Sequence, residues 1–156
     1  MSISHFHDLE VWQLAMLLAK NTYQLTATFP REERYGLSSQ LQRCAVSIPS
    51  NIAEGNARAS TRDYARFVSI ALGSSAELQT QLLLSGDLGM GDEALRTAAL
   101  ELCDRVGRML VRLHQRLSSK LQPESRVPGP ESRASGSESR VPSPESRLSE
   151  DAEEYL

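Results

Sequence analysis

Aromatic residues are scarce, at 5% of 156 residues, within a hydrophobic fraction of 40%. Any core must therefore be mainly aliphatic, which suits helices packed on helices better than a sheet. Proline is also thin where it would interrupt a fold. Of 7 prolines, Pro30 and Pro49 are the two that precede Gln122. Cysteine is limited to Cys44 and Cys103, with no C-x-x-C pair, so neither a disulfide framework nor a paired-cysteine zinc signature is present. Both lie among apolar positions and read as reduced, buried thiols. No apolar run approaches the roughly 18–20 residues of a membrane span. The N-terminus, MSISHFHDLE, has neither the basic region nor the apolar run of a signal peptide. A soluble, cytoplasmic protein away from membranes is the expectation.

A large excess of positive charge is missing too. The net charge of −3 is uneven: residues 1–122 hold 13 Lys+Arg against 12 Asp+Glu, and residues 123–156 hold 4 against 8. An almost neutral domain carries an acidic tail. That tail is built from PESRVPG, PESRASG, SESRVPS and PESRLSE, four consecutive seven-residue units. They lack the paired apolar positions of a coiled coil and contain prolines, so a disordered low-complexity tail is expected over 123–156.

What is present before Gln122 is helical periodicity. Phe6, Leu9, Trp12, Ala15, Met16, Ala19 and Tyr23 recur every three or four residues and predict a first helix from about Ser4 to Thr28. Leu37, Leu41, Cys44, Ala45, Ile48, Ile52 and Ala53 predict a second from about Arg31 to Glu54, kinked near Ala45–Pro49, with Ser47 or Ser50 bonding freed carbonyls. Gly55 or Asn56 is expected to close it in a left-handed conformation. Ser60, with Asp63 three residues on, caps a third helix reaching about Ser85. Gly73, inside it, costs about 1 kcal/mol relative to alanine and predicts close approach by another backbone, of the same chain or of a neighbour. SGDLGMGDE is a turn, and a fourth helix runs from about Asp92 to Leu121. The fold class is all-α, an antiparallel up-and-down four-helix bundle over 1–122.

Signatures of catalysis are absent. His5 and His7 are two apart and cannot share a helix face, and His114 is distant in sequence. GDLGMG follows no strand and lacks the spacing of a nucleotide-binding loop. No catalytic residue, metal ligand or cofactor is expected, and the protein reads as a non-enzyme. The arginines are more informative. Arg58, Arg62 and Arg66 follow i, i+4, i+8 spacing, and Arg105, Arg108, Arg112 and Arg116 form a second row that Lys120 extends. Such rows can meet the phosphates of a nucleic-acid backbone. The alternative is a solvated face with local pairs such as Asp104–Arg108 and Glu101–Arg105.

FHDLEVWQLAMLLAKNTYQL, FPREERYGLSSQLQRCAVSIPSNIAEG and RASTRDYARFVSIALGSSAEL resemble the four-helix-bundle proteins encoded in 23S ribosomal RNA intervening sequences. The accessory variability protein of diversity-generating retroelements looks related. The likeness covers about Phe6 to Leu121, and its most specific part is Ser47-Ile48, Asn51 to Gly55 and Gly73-Ser74. It implies a homo-oligomeric ring, usually a pentamer, that binds nucleic acid through a basic surface, with a reverse transcriptase as partner in the retroelement relative. The family's basic positions carry over onto Arg43, Arg58, Arg62 and Arg66. The leading expectation is backbone-directed, salt-sensitive binding of RNA or DNA, with RNA favoured. The runner-up is a protein-interaction scaffold or accessory subunit, for example of a reverse transcriptase. Pro49, Asn51, Glu54 and Gly55 are expected to build the corner behind the arginines, with Asn51 and Glu54 bonding the turn backbone or holding Arg58 or Arg62.

Overall fold

The computed structural model of the protein describes residues 5–121, so the predicted tail at 123–156 lies outside the described residues. Four helices make up the architecture: α1 Glu10–Thr26, α2 Leu37–Ala57, α3 Thr61–Asp87 and α4 Glu93–Ser119. Each packs against the next, and α1 closes on α4, as in an antiparallel up-and-down bundle. Leu18, Leu25, Leu41, Ile48, Ile52, Leu78, Leu82 and Leu110 are fully buried along its axis. The core is aliphatic, as the shortage of aromatics requires. Cys44 and Cys103 are free and buried within it.

The helix boundaries depart from the periodic reading in ways that local chemistry explains. Before α1 stands a separate 3-10 turn, Phe6–Asp8, and Leu9 is extended (φ −77°, ψ 118°), so the helix starts at Glu10. Its buried face is also rotated from the expected one. Met16 and Tyr23 are 46% and 49% exposed, while Leu18 and Leu25 are sealed. Met16, Leu17 and Leu18 are consecutive and apolar, and spacing alone does not choose among them.

Arg31–Tyr35 is likewise a 3-10 turn rather than the start of α2. Gly36 then supplies the N-cap position but has no side chain to cap with. Glu33 does that job instead: its Oε2 accepts from the Leu37 N–H at 3.1 Å. The carboxylate lies where a Cβ on Gly36 would be, 2.6 Å from it. An acid reaching over the glycine that follows it thus replaces the usual Ser or Asp cap.

Helix α2 runs unbroken through Pro49, whose ring is buried. Ser50 Oγ donates to the Val46 carbonyl at 2.8 Å, one residue beyond the carbonyl that Pro49 leaves without its usual donor. Ser47 turns away to meet Ser74 Oγ at 2.8 Å. Gly55 does not end the helix. It is buried, and the chain stays helical to Ala57, with Arg58 extended behind it (φ −78°, ψ 141°). The reason for glycine is contact, not a left-handed turn. A Cβ there would lie 2.8 Å from Phe67 Cβ and 2.8 Å from Tyr64 Cδ2, so α3 presses directly on the α2 backbone. Gly73, where close approach was expected, has nothing within 4 Å of a built Cβ in this chain.

The far corners are tied together. Ser60 Oγ caps α3 by accepting from Asp63 N at 3.3 Å, and Asp92 Oδ1 caps α4 by accepting from Leu95 N at 2.9 Å. Between α3 and α4, Gly89 and Gly91 have φ of 63° and 75°, the left-handed region that glycine enters without strain. Phe29 packs onto Gly91, and the Asp92 N–H donates to Thr28 Oγ1 at 2.9 Å. The α1 exit is thereby fixed to the α4 entrance.

Candidate nucleic-acid interface

The corner between α2 and α3 sets the position of its arginines. Asn51 Nδ2 donates to the Ser47 carbonyl at 2.8 Å and to Ser47 Oγ at 3.0 Å, and Ser47 in turn meets Ser74. This clasp, with Gly55 seated under Tyr64 and Phe67, locks α2 to α3. Asn51 therefore bonds its own helix rather than the turn backbone. Glu54 does hold Arg58, through an i, i+4 ion pair between half-exposed side chains. The Arg58 guanidinium also lies 5.2 Å from the Phe67 ring centre, a cation–π geometry.

The first arginine row is not one helical stripe. Arg58 is the C-cap residue of α2, and α3 begins at Thr61, so Arg62 and Arg66 alone share the α3 face. Arg43 stands apart. It is fifteen positions from Arg58, about 22 Å along the helix axis. It bonds Gln40 and lines an α2–α3 cleft of about 280 Å³ that also contains Glu77. Its distance from the other arginines, rather than its neighbours, sets Arg43 apart.

The second row is split by its partners. Arg105 donates to Glu10 Oε1 of α1 at 2.6 Å instead of pairing with Glu101, because the start of α1 packs across α4. Arg108 pairs with Asp104 as expected. Among the described residues, no ion pair falls on Arg62, Arg66, Arg112 or Arg116. Arg112 and Arg116 line a groove of about 250 Å³ between α1 and α4, together with Glu10 and the apolar Leu9, Met109 and Leu113. Arg108 and Arg112 edge a second groove of about 500 Å³ between α3 and α4, floored by Ser75, Ala76, Cys103 and Gly107.

These positions converge at one end of the bundle. Ser75 meets Cys103 across the α3–α4 seam, with Cys103 Sγ 3.3 Å from the Ser75 carbonyl oxygen. From that register, antiparallel helices place Arg66 beside the turn of Arg112 and Arg62 beside that of Arg116. Arg58 sits at the adjoining corner. Five of the eight arginines singled out in sequence thus share one end, Arg58 among them held by Glu54, while Arg43, Arg105 and Arg108 lie farther along the bundle with partners of their own.

An aromatic cluster belongs to the α1 start at this same end and escaped the sequence reading. The rings of Phe6 and His7 stand 5.3 Å and 5.2 Å from that of Trp12, both edge-on. His5 and His7 are exposed, and the Gln13 amide ties down the His7 carbonyl at 2.8 Å. Phe6 and Trp12 share a periodic face in the sequence, but the part of His7 depends on the 3-10 turn that places it against Trp12. Of the three rings only His7 is exposed; Phe6 and Trp12 are half-buried and line an α1–α2 groove, with Trp12 packed on the core.

No described helix is long and apolar enough to cross a membrane. Among the described residues, no group of three or more His, Cys, Asp or Glu side chains comes together as a metal site would require. Burial, aided by a hydrogen bond to Glu77, pushes the Cys44 thiol up to about 11, away from the thiolate that nucleophilic chemistry needs. Burial also raises the Cys103 thiol.

The chain matches no curated protein. The family model described as 23S rRNA-intervening sequence protein matches residues 7–112. That span holds α1, α2 and α3 entire, the Ser47–Asn51–Ser74 clasp, the Gly55 contact and the arginines up to Arg112, and it stops short of Arg116 and Lys120. Covering well over half of the sequence, it shows that the chain belongs to the 23S rRNA-intervening sequence protein family.

Proposed function

We infer that the protein is a non-enzymatic, cytoplasmic, homo-oligomeric bundle that binds the phosphate backbone of RNA or DNA through its basic end. The supporting observation is that Arg62, Arg66, Arg112 and Arg116 gather there without a carboxylate partner among the described residues. Exposed cations lose little solvation energy on meeting phosphate, and each contact releases counterions. His7, the exposed ring of the cluster at the α1 start, offers a surface for an unpaired base.

A single domain with 13 Lys+Arg against 12 Asp+Glu binds such a backbone weakly. A pentameric ring repeats the basic end around an axis, and linked weak sites act as one stronger site. The experiment is a polarisation titration of a structured RNA with the wild type and with Arg62→Glu/Arg66→Glu. Weaker binding by the folded variant supports the reading, and equal binding refutes it.

A protein-interaction scaffold, such as an accessory subunit of a reverse transcriptase, is the second reading. It is favoured by an almost wholly apolar α1–α2 groove of about 300 Å³, where Met16 and Val46 are 46% and 43% exposed. A partner that co-purifies after nuclease treatment supports the scaffold. One that is lost on nuclease treatment supports the nucleic-acid bundle.

A further inference from the structure

Helix α3 carries its exposed charges against its own dipole. Arg62 is in the first turn and Arg66 in the second, at the positive end of the helix, while Asp87 is the last residue, at the negative end. Helix α4 has the opposite order, with Asp92 and Glu93 at its start and Arg116 in its last turn. Asp63 offsets part of the misfit at the α3 start, but the last turn of α3 contains no basic residue. Arg62, Arg66, Glu77 and Asp87 are all exposed, and among the described residues none of the four is in an ion pair, although Glu77, at the edge of the face, accepts from Gln81 Nε2 at 3.1 Å and borders the Arg43 cleft. At about 100° per residue they fall within one sector of about 80°. In the middle of that sector lies Gly73, which nothing in this chain approaches. Ile70 and Leu84 flank it at 42% and 45% exposure.

We propose that this face of α3 pairs antiparallel with the same face of a second copy, about a two-fold axis at Gly73. The operation exchanges the helix ends. Arg62 of each copy then lies near Asp87 of the other, and Arg66 near Glu77 of the other. Each pair is offset by about 4.5 Å along the axis, within reach of an arginine. Both charge signs and both dipoles are compensated at once. A nucleic acid would answer the two arginines but leave Glu77 and Asp87 facing phosphate. Gly73 lets the two backbones approach where they cross, which gives its position in an exposed helix interior a purpose.

A single helix on each side buries well under the roughly 800 Å² per partner of a standard interface, so the pairing is weak and concentration-dependent. It is also distinct from a ring. An isologous contact closes on two copies and doubles whatever unit already exists. Because it covers Arg62 and Arg66, it competes with phosphate at this face.

Sedimentation equilibrium of the full chain tests it, at low salt and near about 1 M salt, where the screening length is about 3 Å. The wild type at low salt approaches twice the mass of its high-salt unit. Arg62→Glu/Arg66→Glu and Glu77→Arg/Asp87→Arg each stay at the smaller mass. Mixed in equal amounts they regain the larger one, because every contact is again between opposite signs. Rescue on mixing cannot come from unfolded chains. One common mass for the wild type and both variants overturns the proposal, and so does failure of the mixture to double. A wild type that doubles in mass yet ignores RNA refutes the nucleic-acid reading and leaves this pairing standing.

Discussion

Replacing Gly55 by alanine tests the reading of the α2–α3 contact. The added Cβ would lie 2.8 Å from both Phe67 Cβ and Tyr64 Cδ2. Comfortable carbon contacts are about 3.5–4.0 Å, so each falls short by about 0.7–1.2 Å. Tyr64 can swing, but Phe67 Cβ is fixed to the α3 backbone, so relief requires the helices to part. Overpacking of this kind costs about 1–3 kcal/mol. Against it stands about 1 kcal/mol gained by replacing a helical glycine with alanine. The net is a loss of about 0–2 kcal/mol. Gly107→Ala is the matched control, since its Cβ meets Ser75 Oγ at an ordinary 3.6 Å, and it should gain about 1 kcal/mol. Urea denaturation followed by circular dichroism should therefore separate the two variants by about 1–3 kcal/mol, or roughly 4 °C in Tm for each kcal/mol. If Gly55→Ala gains as much stability as Gly107→Ala, the contact does not constrain the helices and the argument fails.

Glu54→Gln should cost no more than about 0.5 kcal/mol, because its pair with Arg58 is half exposed, and RNA affinity per folded molecule should barely change. A large affinity change would make Glu54 part of the binding surface. Glu33→Ala should lower stability by about 1 kcal/mol in thermal melts through loss of the α2 cap, while Glu32→Ala should not. The pH dependence has a defined sign at Cys44. Its folded-state pKa of about 11 lies above the ordinary thiol value of 9.0, so the unfolded chain releases the proton first. The thiol's contribution to stability is intact below pH 9.0 and is lost as pH rises toward about 11. Chemical denaturation across that window should show the wild type losing stability faster than Cys44→Ala, and parallel curves would contradict the burial.

How much of this was legible in sequence depended on how far the deciding interaction reached along the chain. The four-helix bundle and the Ser60 cap rest on spacing and on local hydrogen bonds, and both are legible in the sequence. The cap of α2 was not, because Glu33 reaches over a glycine from the preceding 3-10 turn. In sequence Gly55 looks like a stop signal and Gly73 like a point of close approach, yet within this chain the close contact falls at Gly55. The residues that decide between those roles, Tyr64 and Phe67, are supplied by another helix. The arginine rows show the same limit. Spacing predicted Asp104–Arg108, but the Glu10–Arg105 bridge joins residues 95 positions apart. Which arginines remain without partners is a property of the tertiary fold.

The central claim is that the basic end engages phosphates, and the salt dependence of RNA binding tests it most directly. The slope of log affinity against log salt falls by about 0.7–0.9 for each phosphate neutralised. The wild type should show a steep negative slope. Arg58→Glu/Arg62→Glu/Arg66→Glu, confirmed as folded, should flatten it by about 2–3 for each protomer engaged. A wild-type affinity that ignores salt, or a variant slope identical to the wild type's, would contradict the claim.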